Sequence, residues 1–453
     1  MRIGFVSLGC PKNLVDGEVM LGLAKQAGHE LTADASTADV IVVNTCAFID
    51  NAKEESVDAI LEMAQFKRDG SCKKLIVTGC LAERYRDQLK AEIPEIDVCL
   101  GTGEVPGIVG AIAGQPTPLR LYRSEDFRTP GTAHSAPTYL YETDTPRVLT
   151  TPSHFAYVKI AEGCDYTCAF CIIPTLRGKY RSREVDAVVR EAEHLAAQGV
   201  KELLLISQDT TFFGIDKGYR GALATLLRRL NDVAGLEWIR LLYLYPTTIT
   251  DDVLAAMAEC PKVCNYIDLP LQHASADVLR RMRRPGNREA YDKLLARIRR
   301  TVPDVTLRTT FIVGFPGETD ADVEQLLDFV RDTQFDHVGV FTYSHEEGTR
   351  AHDLVDDVPA RVKQARRNKV MKLQKQIVAA RMKARKGDRV RVMVDGPSPE
   401  SELVMLGRLE GQAPDIDAMV YFDNCDPATL VPGTLVDATI SDARGYDLVV
   451  TPS

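Results

Sequence analysis

The sequence predicts an α/β protein with an N-terminal doubly wound α/β domain, a central open (β/α)6 partial TIM barrel, and a small C-terminal antiparallel β-barrel. Three observations predict this architecture. β-rich runs alternate with helical patterns through about residue 350, one proline-rich stretch interrupts the alternation, and residues 387–453 alternate apolar and polar positions between Gly and Pro. A length of 453 residues is enough for two to four domains.

In residues 1–115, three predicted strands each end in a cysteine and are followed by a helical pattern. The cysteines are Cys10, Cys46 and Cys80. Ligands of doubly wound sheets bind at the carboxyl ends of the strands. We therefore expect the three thiols to share one crevice, while buried strand-end cysteines without any ligand are the alternative interpretation.

Residues 116–153 carry six prolines in threonine-rich sequence, which predicts an irregular linker. Residues 154–350 then contain six apolar runs, and a helical stretch follows each of the first five. Six units are too few to close a TIM barrel, so we predict an open barrel whose active site lies on the loops after the strands.

Residues 351–386 predict a helical connector, and residues 387–453 predict the small barrel. The latter segment holds twelve Asp and Glu against four Arg and no Lys, a net charge of −8 in a chain of net charge −9. This balance disfavours a protein that coats nucleic acid and favours a basic partner. The sequence has no apolar run near the roughly 18 residues of a membrane helix and no signal-peptide core, which predicts a cytoplasmic protein without membrane contact.

The loop after the first barrel strand contains Cys164, Cys168 and Cys171, in the pattern Cys-x-x-x-Cys-x-x-Cys. Three thiolates would leave one iron of a four-iron cluster open to a further ligand. A structural zinc site is the alternative, but it needs four ligands, and no second Cys-x-x-Cys pair lies nearby. The other five cysteines are interpreted as small buried hydrophobes.

This triplet at the mouth of an open βα barrel resembles the radical S-adenosylmethionine superfamily. The resemblance implies contacts to S-adenosylmethionine from residues at the barrel mouth. By position these are Phe170, Ser207, Gln208, Asp209, Leu269, Gln272, Ile312 and Gly314.

With Cys10, Cys46 and Cys80, the whole chain is similar to the methylthiotransferases, whose terminal barrel is the TRAM module. That resemblance implies two 4Fe-4S clusters, one on each cysteine triplet. It also implies that one S-adenosylmethionine methylates a sulfur held at the first cluster. A second is cleaved at the second cluster to a radical that removes a substrate hydrogen.

The family acts on two substrates, a tRNA adenosine and the β-carbon of an aspartate on small-subunit ribosomal protein twelve. Four strings resemble the ribosomal type: Ser7–Asp16, Ile206–Thr210, Arg177–Arg183 and Leu269–His273. The acidic terminal barrel also suits a basic ribosomal protein, free or within the small ribosomal subunit, better than it suits stable tRNA binding. A reductant such as flavodoxin or ferredoxin is implied. A tRNA methylthiotransferase and a non-enzymatic iron-sulfur electron carrier or sensor are the alternatives.

Overall fold

A parallel five-stranded sheet forms the N-terminal unit. The structure is a computed structural model that describes residues 1–115 and 137–453, so residues 116–136 of the predicted linker lie outside the described residues. The strand order is β2-β1-β3-β4-β5. The elements are β1 (Arg2–Ser7), α1 (Pro11–Gln26), β2 (Glu30–Thr32), β3 (Val40–Thr45), α2 (Asp50–Asp69), β4 (Lys74–Gly79), α3 (Cys80–Glu92), β5 (Ile96–Leu100) and α4 (Ile108–Ala113).

The central unit is a six-stranded parallel sheet with the order β13-β12-β11-β10-β9-β6. Strand order follows chain order without reversal, which is the winding of a barrel, and β6 and β13 remain as edges. The prediction of an open six-unit barrel is confirmed. Its strands are β6 (Phe155–Lys159), β9 (Glu202–Ile206), β10 (Trp238–Leu241), β11 (Val263–Asp268), β12 (Thr306–Val313) and β13 (His337–Thr342). A short ribbon, β7 (Ala161–Glu162) with β8 (Arg181–Ser182), follows β6. The helices are α5 (Ile173–Arg177), α6 (Val185–Ala197), α7 (Ala222–Asn231), α8 (Asp251–Glu259), α9 (Ala276–Arg281), α10 (Arg288–Thr301) and α11 (Asp320–Thr333).

The barrel lumen is open on the side of β13. Every second residue of β12 is partly exposed, beginning with Thr306, whereas the residues between are buried against the helices. Parallel register places Ile312 beside Phe341, which is 52% exposed although it lies within the sheet. Solvent therefore reaches the lumen at this edge.

The connector predicted for residues 351–386 contains α12 (Ala360–Ala384), and a closed five-stranded barrel follows it. Its strands are β14 (Arg389–Ser398), β15 (Ser401–Arg408), β16 (Val420–Phe422), β17 (Leu435–Arg444) and β18 (Asp447–Pro452). The neighbouring strands run antiparallel as predicted, except that β16 and β18 pair in parallel. None of the helices in residues 1–115 or 137–453 has the length and apolar character needed to cross a membrane.

The loop between β15 and β16 closes the lumen at the end where the strands begin. Ala413 of this loop lies in one apolar cluster with barrel residues such as Tyr266. The Tyr266 hydroxyl donates to Asp417 at 2.7 Å. At the base of the loop, Arg408 donates to Glu202, the first residue of β9, at 2.6 Å. The terminal barrel thus packs below the central barrel, and its β15–β16 loop closes the lower end of the lumen.

Candidate active site

Three neighbouring strands of the N-terminal sheet bring Cys10, Cys46 and Cys80 together. These residues follow β1, β3 and β4, which are adjacent in the sheet order. The backbone at Gly9 lies close to the side chain of Cys46, because a Cβ added to Gly9 would lie 2.7 Å from the Cβ of Cys46. Gly9 also has a φ of +87°, a conformation that favours glycine. The sequence places the first thiol set at one edge of the sheet for these local reasons.

Burial controls the protonation of two thiols of the first set, Cys46 and Cys80. It raises the pKa of Cys80 to about 12, against the opposing charge of Arg177. Burial and then the neighbouring Cys10 raise the pKa of Cys46. Arg177 donates from Nη2 to the Cys80 Sγ at 3.6 Å. Without metal, Cys46 and Cys80 are neutral thiols, and a metal must displace their protons to bind.

The second thiol set lies in the loop between β7 and α5. Burial raises the pKa of Cys164 to about 12, and it raises the pKa of Cys171 as well. The charge of Cys168 raises the pKa of both thiols further. Arg284 donates from Nη1 to the Cys168 Sγ at 3.7 Å. Each thiol set therefore has one buried arginine in contact with one of its sulfurs.

The donor chemistry of the two thiol sets fits iron-sulfur clusters. Within residues 1–115 and 137–453, no group of three or more His, Cys, Asp or Glu side chains converges as the ligands of one metal ion would. A cubane with three protein ligands does not require such convergence, because each sulfur binds a different iron. N–H···S hydrogen bonds from Arg177 and Arg284 also suit a sulfur-rich anionic group. The donor sets are consequently compatible with 4Fe-4S clusters.

A buried ionic network joins the N-terminal unit to the barrel between the two thiol sets. Lys159 of β6 donates to Asp16 of α1, and to Glu162 at 2.6 Å. Arg177 donates to Asp16 at 2.6 Å and to Glu162 at 3.1 Å. Burial alone would raise the pKa of Glu162, but Lys159 and Arg177 outweigh it and lower the pKa to about 2. Arg177 also ends α5, which is about 8 Å long and begins two residues after Cys171.

A second ionic contact holds the two units together on the opposite side. Glu346, which follows β13, accepts from Lys53 and from Arg84 at 2.8 Å each. Its side chain is 2% exposed. The N-terminal sheet is thereby fixed over the barrel mouth from two sides.

The residues predicted to contact S-adenosylmethionine lie around the barrel mouth in two groups. Phe170 and Ile312 pack in one apolar cluster, and Gln208 and Gln272 are partly exposed. The partly exposed members are Phe170, Gln208, Gln272 and Ile312, and the buried members are Ser207, Asp209, Leu269 and Gly314.

Gln208 and Gln272 are the strongest candidate contacts within this set, because the Oε1 of each is buried with no hydrogen-bond partner among the described residues. Gln272 also has a φ of +73°. Asp209, in contrast, accepts from Tyr166 at 2.8 Å and from Thr211 and Thr248. Burial raises the pKa of Asp209, and these donors oppose that shift. Asp209 therefore stabilises the conformation of its loop, whereas the Oε1 of Gln272 can accept a hydrogen bond from a ligand.

Sequence reasoning missed Lys12 and Tyr243 as site residues. The Lys12 Nζ lies 2.9 Å from the centroid of the Tyr243 ring, in the lumen above Asp268. Burial lowers the pKa of Lys12 to about 8, and the neighbouring Cys10 opposes this shift. The only sequence signal for Lys12 was its position two residues after Cys10. Four of the five remaining cysteines are buried in apolar cores, as predicted, whereas Cys425 is only half-buried against one.

Three family models match the chain in the order of its structural units. The uncharacterized protein family UPF0004 matches residues 2–101, the radical SAM superfamily matches residues 158–330, and the TRAM domain matches residues 387–452. These matches cover both thiol sets and the terminal barrel.

Relatives with similar sequences match over nearly their full length. The ribosomal protein uS12 methylthiotransferase RimO of Koribacter versatilis is 48% identical over 99% of this chain and 95% of its own length. The protein of the same name from Symbiobacterium thermophilum is 48% identical over 99% of this chain and 90% of its own. The RimO of Solibacter usitatus is 48% identical over 100% and 94%.

Solved structures share the fold at low sequence identity. The radical S-adenosylmethionine methyltransferase TsrM from Kitasatospora setae, solved with cobalamin and a [4Fe-4S] cluster, has a TM-score of 0.54. It is 16% identical over 75% of this chain and 72% of its own. OxsB, a cobalamin-dependent S-adenosylmethionine radical enzyme, has a TM-score of 0.52 at 13% identity over 83% of this chain and 56% of its own.

Proposed function

The chain belongs to the ribosomal protein uS12 methylthiotransferases (RimO), and we propose that it methylthiolates the β-carbon of an aspartate of uS12. The proposed cofactors are two 4Fe-4S clusters and S-adenosylmethionine. The observation that carries the proposal is the placement of two thiol sets on either side of one short helix, α5, at the barrel mouth. An enzyme that joins a sulfur to an unactivated carbon needs the group that holds the sulfur and the group that generates the radical in one chamber.

Cys10, Cys46 and Cys80 would hold the first cluster, and Cys164, Cys168 and Cys171 the second. When bound, the clusters supply a site for the transferable sulfur and an electron for the cleavage of S-adenosylmethionine. The chain's own residues set the surroundings. Arg177 and Arg284 donate hydrogen bonds to one sulfur in each set, and so favour the anionic form of the bound group.

S-Adenosylmethionine would lie over the carboxyl ends of β9, β11 and β12. We assign its contacts to the eight residues predicted above, with Gln272 offering an unpartnered acceptor and Phe170 and Ile312 an apolar wall. The N-terminal sheet covers this mouth through Asp16 and Glu346, and thereby restricts access of water to the reacting groups.

The charge of the terminal barrel supports a basic protein substrate. Some of its acidic residues do not face solvent, since Asp395 accepts from Arg408 and Asp417 accepts from Tyr266. The exposed acidic residues are Asp388, Glu400, Glu402, Glu410, Asp415, Asp426, Asp437 and Asp442, and the exposed basic residues are Arg389, Arg391 and Arg444. The surface therefore stays acidic, which favours a cationic ribosomal protein over a phosphate backbone. Cytoplasmic action on uS12, free or in the small subunit, and reduction by a flavodoxin or ferredoxin complete the proposal.

Two cysteine variants test the assignment of the clusters. Cys10→Ala should leave reductive cleavage of S-adenosylmethionine to 5'-deoxyadenosine largely intact and abolish the methylthio product, whereas Cys168→Ala should abolish both. Cys425→Ala, outside both thiol sets, is the control. Iron analysis should give about eight irons per chain for the wild type and about four for each site variant. Full methylthio product from reconstituted Cys10→Ala would contradict the role of the first set.

The substrate is tested separately from the clusters. In a strain lacking this protein, mass analysis should show loss of the modification from uS12 and no change in tRNA. Loss from tRNA alone would instead favour the tRNA adenosine methylthiotransferase. Iron-loaded protein that forms no 5'-deoxyadenosine with reductant and S-adenosylmethionine would favour an electron carrier or sensor.

A further inference from the structure

Lys12 extends from the N-terminal unit into the barrel lumen. It is the second residue of α1 and is 7% exposed, yet its Nζ makes no hydrogen bond or salt bridge with any residue in the described ranges. The ammonium instead lies over the face of the Tyr243 ring, with Nζ 2.9 Å from the ring centroid. Tyr243 is itself held in a strained conformation, with a φ of +61°, by a hydrogen bond from its N–H to Asp268 at 2.9 Å.

The carboxylates nearest to Lys12 already have cations of their own. Asp268 accepts from Arg308 at 2.8 Å. Glu162 is paired with Lys159 at 2.6 Å and with Arg177 at 3.1 Å. The ammonium of Lys12 is consequently a surplus positive charge in a mostly enclosed space. A buried charge of this kind is costly unless a counter-ion binds beside it.

The position of this charge relative to the two thiol sets suggests its counter-ion. Lys12 lies two residues after Cys10, and its neighbour Tyr243 lies two residues before Tyr245, whose ring contacts Arg284 at 4.2 Å. Arg284 in turn contacts Cys168. These contacts connect the Lys12 ammonium to the neighbourhood of both thiol sets.

We propose that the Lys12 ammonium binds the carboxylate of the substrate aspartate. This inference rests on the proposed function and extends it by naming a residue that recognises the substrate. The β-carbon of aspartate is bonded directly to its carboxylate carbon. A fixed carboxylate therefore confines the β-carbon to a small region, which is the positioning that radical transfer requires. Tyr243 supports the lysine from below through its ring face.

The pairing is tested by a double-mutant cycle between enzyme and substrate. Binding is measured anaerobically by titration of the cluster-loaded enzyme with uS12 and with uS12 whose modified aspartate is replaced by asparagine. The wild type should bind native uS12 about tenfold or more tightly than the asparagine form, since a hydrogen bond between charged groups is lost. Lys12→Met should bind native uS12 and the asparagine form with the same affinity, close to the affinity of the wild type for the asparagine form. Lys12→Arg should restore part of the preference, because it keeps the charge.

Kinetics and iron content separate this role from a structural one. Lys12→Met should raise the KM for uS12 more than it lowers kcat. It should also increase the 5'-deoxyadenosine formed per methylthio product, because the substrate is held less firmly. Iron content should stay at about eight per chain. Lys25→Met, an exposed lysine in the last turn of the same helix, is the matched control and should behave as the wild type.

Two results would overturn the assignment. Equal affinity of the wild type for native and asparagine uS12 would exclude a charge interaction with the carboxylate, even if Lys12→Met failed to fold. Equal loss of affinity for both forms in Lys12→Met would show that Lys12 serves the first cluster electrostatically instead. A wild type that does not modify uS12 at all would contradict the proposed function itself, which is a distinct outcome.

Discussion

The buried network around Asp16 gives a prediction whose size follows from the structure. We consider Asp16→Asn, which keeps the volume of the side chain and removes its charge. The Asp16 side chain is 5% exposed and accepts from Lys159 and from Arg177, the latter at 2.6 Å. After the change, two buried cations share the single carboxylate of Glu162.

Breaking a buried ion pair by removing one partner costs about 3–5 kcal/mol, because the remaining charge is left without compensation. That is a large share of a typical folding free energy of about 5–15 kcal/mol. An exposed pair serves as the control. Asp292→Asn breaks a contact with Arg288 of 2.7 Å between side chains that are 47% and 37% exposed, and it should cost about 1 kcal/mol or less.

The free energy of unfolding is measured by urea titration of the iron-free chain under reducing, anaerobic conditions. The double variant Asp16→Asn with Lys159→Met should recover part of the loss, because it removes a cation together with the anion. A loss for Asp16→Asn no larger than that for Asp292→Asn would refute the interpretation that this network holds the two units together.

Three further predictions concern the second thiol set, the barrel mouth and the terminal barrel. Arg284→Met removes the hydrogen bond to Cys168 and should lower the midpoint potential of the second cluster, measured by redox titration with electron paramagnetic resonance; an unchanged potential would contradict the role of that bond. Gly314→Ala should destabilise the chain by more than about 1 kcal/mol, since a φ of +74° and a neighbouring atom 2.3 Å from the new Cβ both oppose it; a thermal melt that matches the wild type would contradict this. The pKa of Asp395 is lowered because the hydrogen bond with His154, and then the charge and hydrogen bonds of Arg408, outweigh burial. Its carboxylate therefore stabilises the fold above its ordinary pKa and loses that effect as the pH falls through the lowered pKa. The stability gap between wild type and Asp395→Asn should therefore narrow below about pH 4, and a gap that is constant from pH 7 to pH 3 would refute it.

The cysteine positions could be predicted from sequence because they depend on local order. A strand followed by a helix places Cys10, Cys46 and Cys80 at the carboxyl edge of a parallel sheet, and the strand order β1-β3-β4 makes them neighbours. The short spacing of the second set has the same local origin. Periodicity along the chain determines such positions without knowledge of tertiary contacts.

Contacts between units could not be predicted in this way. Lys12 meets Tyr243, and Arg177 meets Cys80, only because the N-terminal sheet docks on the barrel. Composition also predicted the net charge of the terminal barrel, but it did not predict which charged side chains face solvent. Asp417, for example, points into the lumen of the central barrel. Alternating hydrophobicity predicts a strand, yet it does not say that β16 and β18 run parallel.

The loop between β15 and β16 closes the lower end of the lumen, so the role of the C-terminal barrel cannot be tested by deleting it. Deleting residues 387–453 would open the lower end of the central-barrel lumen to solvent and would remove the ion pair between Arg408 and Glu202. A truncated enzyme would then lose activity through a damaged scaffold, whatever the barrel contributes to recognition of the ribosome. Reversing single charges on the outer surface of the terminal barrel, such as those of Glu400 and Glu402, leaves its contacts with the central barrel intact. Such variants therefore test recognition of the ribosome separately from stability.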